Sequence, residues 1–381
     1  MRFLEETSIA GTKAYPVIKS YHKFAKRKPA KRALLSYLTA PVLADMRGEK
    51  IVRFSNHGLA ITWVRVLNEL GYELDIIDWD NIEFDPTHSY DLVVLHGAKN
   101  EKNLLPKLKH KAVVIHFLTG SYWRYNNAQE DQRRSDFKNR HGVLVARDRF
   151  IETSEDTVNE AAKGIIVLGN KSMRETYPAS YPIIKTMNNA SYPDDHFKSV
   201  PKNYAEARGN FLFFAGSGNV HKGLDLVIES FAGLKENLYV VTVLDKEVMD
   251  VFAKQLKRPN IHLIGDVNMR TSEFYEIMDT CAFSILPSCS EGQAGSMIEC
   301  MNQGLIPIVS KETRLDPGKN GVVLKDNTIA TIRETVTSLS ALSKYNVAKR
   351  SKAVHKLAQK KHSPDYVRKQ LKRAVRSILS A

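Results

Sequence analysis

Residues 211–224 read Phe-Leu-Phe-Phe-Ala-Gly-Ser-Gly-Asn-Val-His-Lys-Gly-Leu. The apolar run 211–214 makes a short strand buried on both faces. Gly216-Ser217-Gly218 supplies a turn, and the apolar spacing across 224–234 predicts a helix. A strand, a glycine turn and a helix in that order open a βα unit. Downstream, apolar runs at 238–244, 261–264, 283–286 and 306–309 alternate with helical stretches. Upstream, the same alternation uses strands at 51–54, 74–77, 92–95, 112–115 and 165–168. The polar turn Ser55-Asn56-His57-Gly58 leads into a helix that Gly71 ends. Strands alternating with helices build a parallel sheet with helices on both faces. Two such blocks, separated by a polar stretch with Pro193, Pro201 and Gly209, predict two doubly wound, Rossmann-like α/β domains facing a cleft.

The expected organisation is a basic segment at 1–32, whose order the sequence leaves open, and an N-terminal domain over 33–195. A linker over 196–210, a C-terminal domain over 211–360 and a basic amphipathic helix over 361–381 follow. In that last helix Ser363 is an N-cap candidate and Pro364 the first helical residue. Val367, Leu371, Val375 and Ile378 line one apolar face, so the helix should dock on a domain surface.

The composition agrees with a globular chain. Of 381 residues, 43% are hydrophobic and 26% charged, which excludes a mainly disordered or fibrous protein. No apolar run is long enough to span a bilayer, and the N-terminus lacks the apolar core of a secretory signal. Cys281, Cys289 and Cys300 form no C-x-x-C and read as reduced thiols, which points to a cytoplasmic protein. The net charge of +14 is concentrated at the ends: residues 341–381 hold 12 Lys or Arg against one acid, and residues 1–50 hold 11 against four. Such ends suit an anionic membrane surface, met peripherally, as well as they suit a solvated helix face. A nucleic-acid-binding protein is the rival that this charge suggests. No nucleic-acid motif supports it, and the basicity avoids the motif-bearing middle.

The strongest local signal is Ser290-Glu291-Gly292-Gln293-Ala294-Gly295-Ser296-Met297-Ile298-Glu299. A strand precedes it, two glycines lie in the loop, and a helix starts near Ser296. Loop glycines let backbone N–H groups approach a ligand, and a helix N-terminus favours an anion. Ser296-x-x-Glu299 also fits a capping box. In the opening stretch, Gly216, Lys222 and the helix start suit a phosphate, although the lysine precedes the second glycine, unlike a P-loop.

This pair of motifs, in this order, resembles the second domain of retaining nucleotide-sugar glycosyltransferases of the GT-B fold, and more narrowly glycosyltransferase family 4. Glu291 and Glu299 match its E-x7-E, and Lys222 its K-G step. Gly265-Asp266-Val267 resembles its base-contacting turn, and residues 304–310 its following Gly-x-Pro strand. The resemblance implies a glycosyltransferase that takes a UDP- or GDP-sugar, needs no other cofactor and no metal, and retains anomeric configuration. Its acceptor would be a glycan or a lipid-linked molecule. The implied roles follow the matched positions. Glu291 would contact the donor sugar, Glu299 the ribose hydroxyls and Lys222 the diphosphate, with the amides of Gly295 and Ser296 and residues Gly216 and Val267 lining the donor site. Gly58 would be the first-domain glycine near the diphosphate, and His116, after a strand, a histidine near the sugar. The C-terminal helix would return to the first domain.

Two departures stand out. Ser217 occupies the position where the family usually has an arginine, so another base, with Arg147 and Arg149 as candidates, or Lys222 and amides alone must serve the diphosphate. The missing arginine also admits a catalytically silent partner subunit of the same fold. Residues 119–127, Thr-Gly-Ser-Tyr-Trp-Arg-Tyr-Asn-Asn, combine aromatic and amide groups. Thr119, Tyr122, Trp123 and Arg124 are therefore acceptor candidates. Asp78-Trp79-Asp80 reads as a turn rather than as metal ligands.

Overall fold

The apolar runs become strands of two separate sheets, one mixed and one parallel, in the computed structural model, which describes residues 4–7, 15–49, 55–108, 112–181, 183–192 and 195–381. The first sheet comprises β1 (Leu4–Thr7), β2 (Tyr15–Tyr21), β3 (Lys31–Tyr37), β4 (Tyr72–Asp78), β5 (Leu92–His96), β6 (Val113–Leu118), β7 (Gly164–Leu168) and β8 (Ile183–Met187). Their order is β1-β2-β4-β3-β5-β6-β7-β8. From β4 to β8 all pairings are parallel, while β2 joins β4 antiparallel at the edge. Part of the basic segment 1–32 is therefore sheet. Val17, Ile18 and Tyr21 are buried there, and their irregular spacing does not announce a strand. The strand expected at 51–54 lies outside the described residues. The expected turn at 55–58 is instead the first turn of the helix Ser55–Glu69.

The second sheet comprises β9 (Asn210–Phe214), β10 (Asn237–Val241), β11 (Ile261–Gly265), β12 (Phe283–Leu286), β13 (Ile306–Val309) and β14 (Val322–Val323). Its order is β11-β10-β9-β12-β13-β14, and every pairing is parallel. This is the dinucleotide-fold order, in which the chain builds outward from β9 in one direction and then restarts at β12 in the other. Phe211, Phe213, Phe231 and Phe283 fill its core.

The units do not follow the chain as the sequence suggested. One contains residues 1–123, 152–192 and 364–381, and the other 124–151 and 193–363. Residues 124–151, expected within a continuous first domain, are built into the second unit. Phe137, on the helix Trp123–His141, joins that unit's core beside Phe252. Arg140 on the same helix pairs with Asp225 and, at 3.1 Å, with Glu229. The stretch read as a linker is also structured. It carries two short helices, His196–Ser199 and Tyr204–Ala207. Lys202 Nζ donates to the carbonyls of Met278, Cys281 and Gln303 at 2.7, 2.9 and 3.2 Å.

The C-terminal helix Pro364–Ser380 docks by its apolar face, and it belongs to the first unit, as the resemblance implies. Val367, Leu371, Val375 and Ile378 are fully buried there. A Cβ on Gly164 would meet Ile378 at 2.7 Å, so β7 and the helix approach as closely as a glycine allows. Arg368 and Lys372 share Glu69, each at 2.6 Å. Burial opposes the Glu69 charge, but the two cations hold its pKa below the ordinary value. Among the described residues no helix is long and apolar enough to cross a membrane. Leu371→Ala should cost about 3 kcal/mol through the cavity it leaves. Glu69→Gln, a partly exposed pair, should cost nearer 1 kcal/mol. Urea unfolding followed by tryptophan fluorescence checks the ranking.

Candidate active site

Strand order decides where the second unit can hold a ligand. β9 and β12 lie side by side, Phe211 against Phe283 and Leu212 against Ser284. The chain leaves them toward opposite sides of the sheet, so the loops beyond their C-terminal ends diverge, and ligands of such sheets bind there. Those loops are residues 215–223 and 287–294, which hold both of the motifs described above.

The first loop is shaped by glycines. Gly218 has a φ of +92° and Gly223 a φ of +80°, left-handed conformations that side chains resist. The amide of Lys222 donates to the Gly218 carbonyl at 2.8 Å, closing the turn. A Cβ on Gly223 would lie 2.7 Å from the Pro287 carbonyl, so the two loops touch through that glycine. Asn219 braces the turn from beneath. Its amide donates to the Val243 carbonyl at 2.9 Å, and its carbonyl accepts from the Asp245 amide at 2.9 Å.

The closed turn delivers Lys222 to Glu291. Their side chains form an ion pair, and Ser288 Oγ donates to the same carboxylate oxygen at 3.1 Å. Burial pushes the Glu291 pKa up, but Lys222, His221 and Arg149 together bring it below the ordinary carboxylate value. Glu291 is therefore an anion in this fold, not a general acid. His221, one residue before the lysine, is buried and lies between the loops. Its Nε2 donates to the Ser290 carbonyl at 2.7 Å, and its Nδ1 faces Glu130 at 3.6 Å. Burial disfavours the imidazolium, but Cys289 and Glu130 outweigh it and raise the pKa to about 9.

Glu299 stands on the helix Gly295–Asn302, where it is 5% exposed. Its carboxylate faces Arg270 Nη2 at 3.3 and 3.4 Å, across from the turn that follows β11. Arg270 has a φ of +66°, and Gly265 ahead of it +96°. Val267 in the same turn is buried against Phe214 and Phe274. Glu299 thus answers to a cation from another loop rather than to a capping box. Gly295 and Ser296 are the first two residues of that helix, whose N-cap position, Ala294, offers no side-chain bond. Gly216 lies in the first loop, where its carbonyl accepts from Thr242 Oγ1 at 2.7 Å.

The candidates in the first unit meet a different fate. His116 lies in the middle of β6, not after a strand. It is fully buried, with Nδ1 bonded to Asn159 Oδ1 at 2.8 Å and Nε2 to the Gly97 carbonyl at 3.2 Å. Burial drives its pKa down to about 4. It is a core histidine with both ring nitrogens engaged by protein groups. Gly58 sits in a helix rather than a glycine loop, and a Cβ there would strike the Tyr192 hydroxyl. Tyr122 and Trp123 both donate to Asp156 Oδ1, at 2.6 and 2.9 Å, and Tyr181 joins them at 2.6 Å. Thr119 is partly buried just ahead of them, while Arg124 is exposed and begins the segment built into the second unit. Asp78 ends β4 and accepts from the Thr39 amide and hydroxyl at 2.9 and 2.7 Å, and the expected turn begins after it, at Trp79 and Asp80.

Sequence reading missed His221, Glu130, Arg270 and Ser288. His221 adjoins Lys222 and could have been flagged. Glu130 and Arg270 carry no local signal, because their partners lie 91 and 29 residues away along the chain.

Residues 196–360 match a family model described as Glycosyl transferases group 1. No curated protein matches the sequence. Among solved structures, a sucrose-phosphate synthase from Thermosynechococcus elongatus is similar over 93% of this chain and 100% of that one, with a TM-score of 0.63 and 14% identity. HepE from Anabaena, solved with UDP and glucose, is similar over 91% and 100%, with a TM-score of 0.55 and 12% identity. A variant of TarM from S. aureus, solved with fondaparinux, alpha-GlcNAc-glycerol and UDP, is similar over 74% of this chain and 55% of that one, with a TM-score of 0.55 and 14% identity. The chain thus spans about half the length of TarM. At these identities the likeness establishes the fold: two Rossmann-like units of the GT-B type.

Stability from the charged form of His221 is complete below about pH 6.5 and is lost as pH rises through about 9, because the folded-state pKa is the raised one. His221→Gln should lower stability near pH 6 by on the order of 2 kcal/mol and flatten the decline above pH 8. Melting curves across that range read both effects.

Proposed function

We propose that the protein transfers a sugar from a nucleoside-diphosphate donor to an acceptor, with the donor bound by the second unit. The observation that carries this reading is the Lys222–Glu291 pair, set on the two loops that leave the sheet where its strand order reverses. The Glu299–Arg270 pair on the neighbouring turn supports it. A cation, an ionised carboxylate and an uncapped helix N-terminus in one place suit a diphosphate joined to a hydroxyl-rich group.

In this reading Lys222 and the amides of Gly295 and Ser296 neutralise the departing diphosphate. Glu299 accepts the ribose hydroxyls, and Glu291 accepts hydroxyls of the donor sugar. Gly216 and Val267 border the nucleotide. The C1–O bond to the diphosphate breaks as the acceptor oxygen bonds to C1, and the leaving phosphate takes the acceptor proton. Attack on the same face retains configuration and needs no separate base. Fixed cations and aligned amides supply the charge stabilisation that a metal supplies elsewhere. UDP is the first donor base to test, since TarM and HepE were solved with it. Thr119, Tyr122, Trp123 and Arg124 remain the acceptor candidates, although Tyr122 and Trp123 both donate to Asp156. The basic ends would favour a peripheral, anionic-membrane location for a lipid-linked or glycan acceptor.

Calorimetric titration with UDP, GDP, ADP and CMP, with and without EDTA, tests the donor site. One diphosphate should bind with and without EDTA, and Glu299→Gln should weaken it at least tenfold, the cost of lost hydrogen bonds to a charged group. Lys222→Met should also destabilise the protein, since Glu291 would then be buried without its cation. No binding by any nucleotide would refute the donor site. Binding without transfer to any acceptor would support a silent partner instead.

A further inference from the structure

We propose that Arg149, carried onto the glycine turn by residues 124–151, is the second cation for a diphosphate held by the Gly218–Lys222 loop. The inference rests on the donor reading above but concerns a residue outside the stretch 196–360 that the family model matches.

Three observations converge. First, the Arg149 side chain lies on the glycine turn. A Cβ on Gly218 would meet Arg149 Cγ at 2.8 Å and Cδ at 3.0 Å, so the stem occupies the space that glycine leaves open. Second, the Arg149 backbone is fixed from the helix Trp123–His141. Glu130 Oε1 accepts from the amides of Asp148 and Arg149 at 2.8 and 2.9 Å, and Asn126 donates to the Arg149 carbonyl at 2.8 Å. Asn127 pins Ile151 through both its amide and its carbonyl, at 2.9 and 2.8 Å. Third, the guanidinium has no fixed counterion. Among the described residues no carboxylate forms an ion pair with it, although it acts on Glu291 through space. Asp148 also reaches toward Gly218, its Oδ2 3.5 Å from the same notional Cβ, without pairing to Arg149.

Arg147, the other basic residue of this stretch, is spoken for. Its Nε and Nη2 both donate to Asp131 at 2.9 Å, and it stacks on Phe150 with 4.2 Å to the ring centroid. Lys222 already has Glu291, and His221 faces Glu130. Arg149 is thus an exposed cation at this turn whose planar donor fork is open to a bidentate phosphate. It takes the place that Ser217 leaves empty, from a segment some 70 residues earlier in the chain. Gly218 is then required twice, for its backbone conformation and for the arginine stem.

The test is calorimetric titration of the purified chain with pyrophosphate, UDP, GDP, UMP and uridine. It is run for the unaltered protein and for Arg149→Gln, Arg149→Lys, Asp148→Asn and Arg147→Gln. Arg149 is exposed, and melting curves confirm that each variant is folded. Arg149→Gln should weaken the diphosphates about ten- to a hundredfold and leave uridine unchanged. Arg149→Lys should recover part of the loss, Asp148→Asn should tighten diphosphate binding, and Arg147→Gln should match the unaltered chain. Diphosphate affinity unchanged in Arg149→Gln, or an equal loss for uridine, overturns the inference while leaving the donor reading intact. Failure of the unaltered protein to bind any of these probes overturns both.

Discussion

The reversal of strand order between β9 and β12 is the constraint from which the rest of the site follows. Neighbouring strands whose connections leave in opposite directions cannot close the ground beyond their ends, so two loops diverge there. Everything chemically interesting in the second unit sits on those loops or on the elements they lead into. Lys222 ends one loop and Glu291 sits in the other, and Glu299 follows on the helix that the second loop starts. The glycines are what let the loops approach. Gly223 passes the Pro287 carbonyl where no Cβ would fit, and Gly218 turns the chain so that Lys222 faces the carboxylate.

The site stores its charges in pairs. Lys222 with Glu291, His221 with Glu130 and Arg270 with Glu299 each place a cation and an anion from different segments in contact. Burying a single charge would cost several kcal/mol, whereas a hydrogen-bonded pair offsets most of that penalty. Such pairs are also poised. A ligand that brings its own anion can compete for Lys222, and one that brings hydroxyls can satisfy Glu291 and Glu299 in place of a cation. Cys289 and Glu130 raise the His221 pKa above the ordinary histidine value against the effect of burial, while His116, equally buried but with no anion beside it, is pushed down.

The excursion of residues 124–151 ties the two halves of the sequence into one piece of chemistry. The helix Trp123–His141 is strongly polar and shows no amphipathic stripe, yet Phe137 enters the second unit's core and Glu130 and Arg133 are buried. It is held by specific polar contacts rather than by a broad apolar face. Arg133 donates to the Pro287 carbonyl at 3.0 Å, Arg140 pairs with Asp225, and His141 bonds Glu229 at 2.9 Å. The helix therefore reaches the strand end, the loop histidine and the glycine turn at once.

Much of this was legible in the residues alone, and the reason is local. Strands buried on both faces leave continuous apolar runs, so β9, β12 and β13 could be read to within a residue. A left-handed turn demands glycine, so Gly216–Gly223 announced itself. The E-x7-E spacing put Glu291 and Glu299 on one loop and one helix. The C-terminal helix declared its buried face by the spacing of Val367, Leu371, Val375 and Ile378. The strand β2, whose buried residues Val17, Ile18 and Tyr21 follow neither a continuous run nor an alternation, did not. The surroundings of Gly58 and His116 were not legible, because a glycine and a histidine look alike in sequence whether they face a ligand or a core neighbour. Only the folded chain decided that Tyr192 fills the space over Gly58, that Asn159 and Gly97 claim His116, and that Glu130, Arg270 and Arg149 join the second unit's site. Those are contacts between residues far apart in sequence. Periodicity and turn chemistry record what a segment does to itself, while a buried charge finds its partner wherever the sheet order brings one.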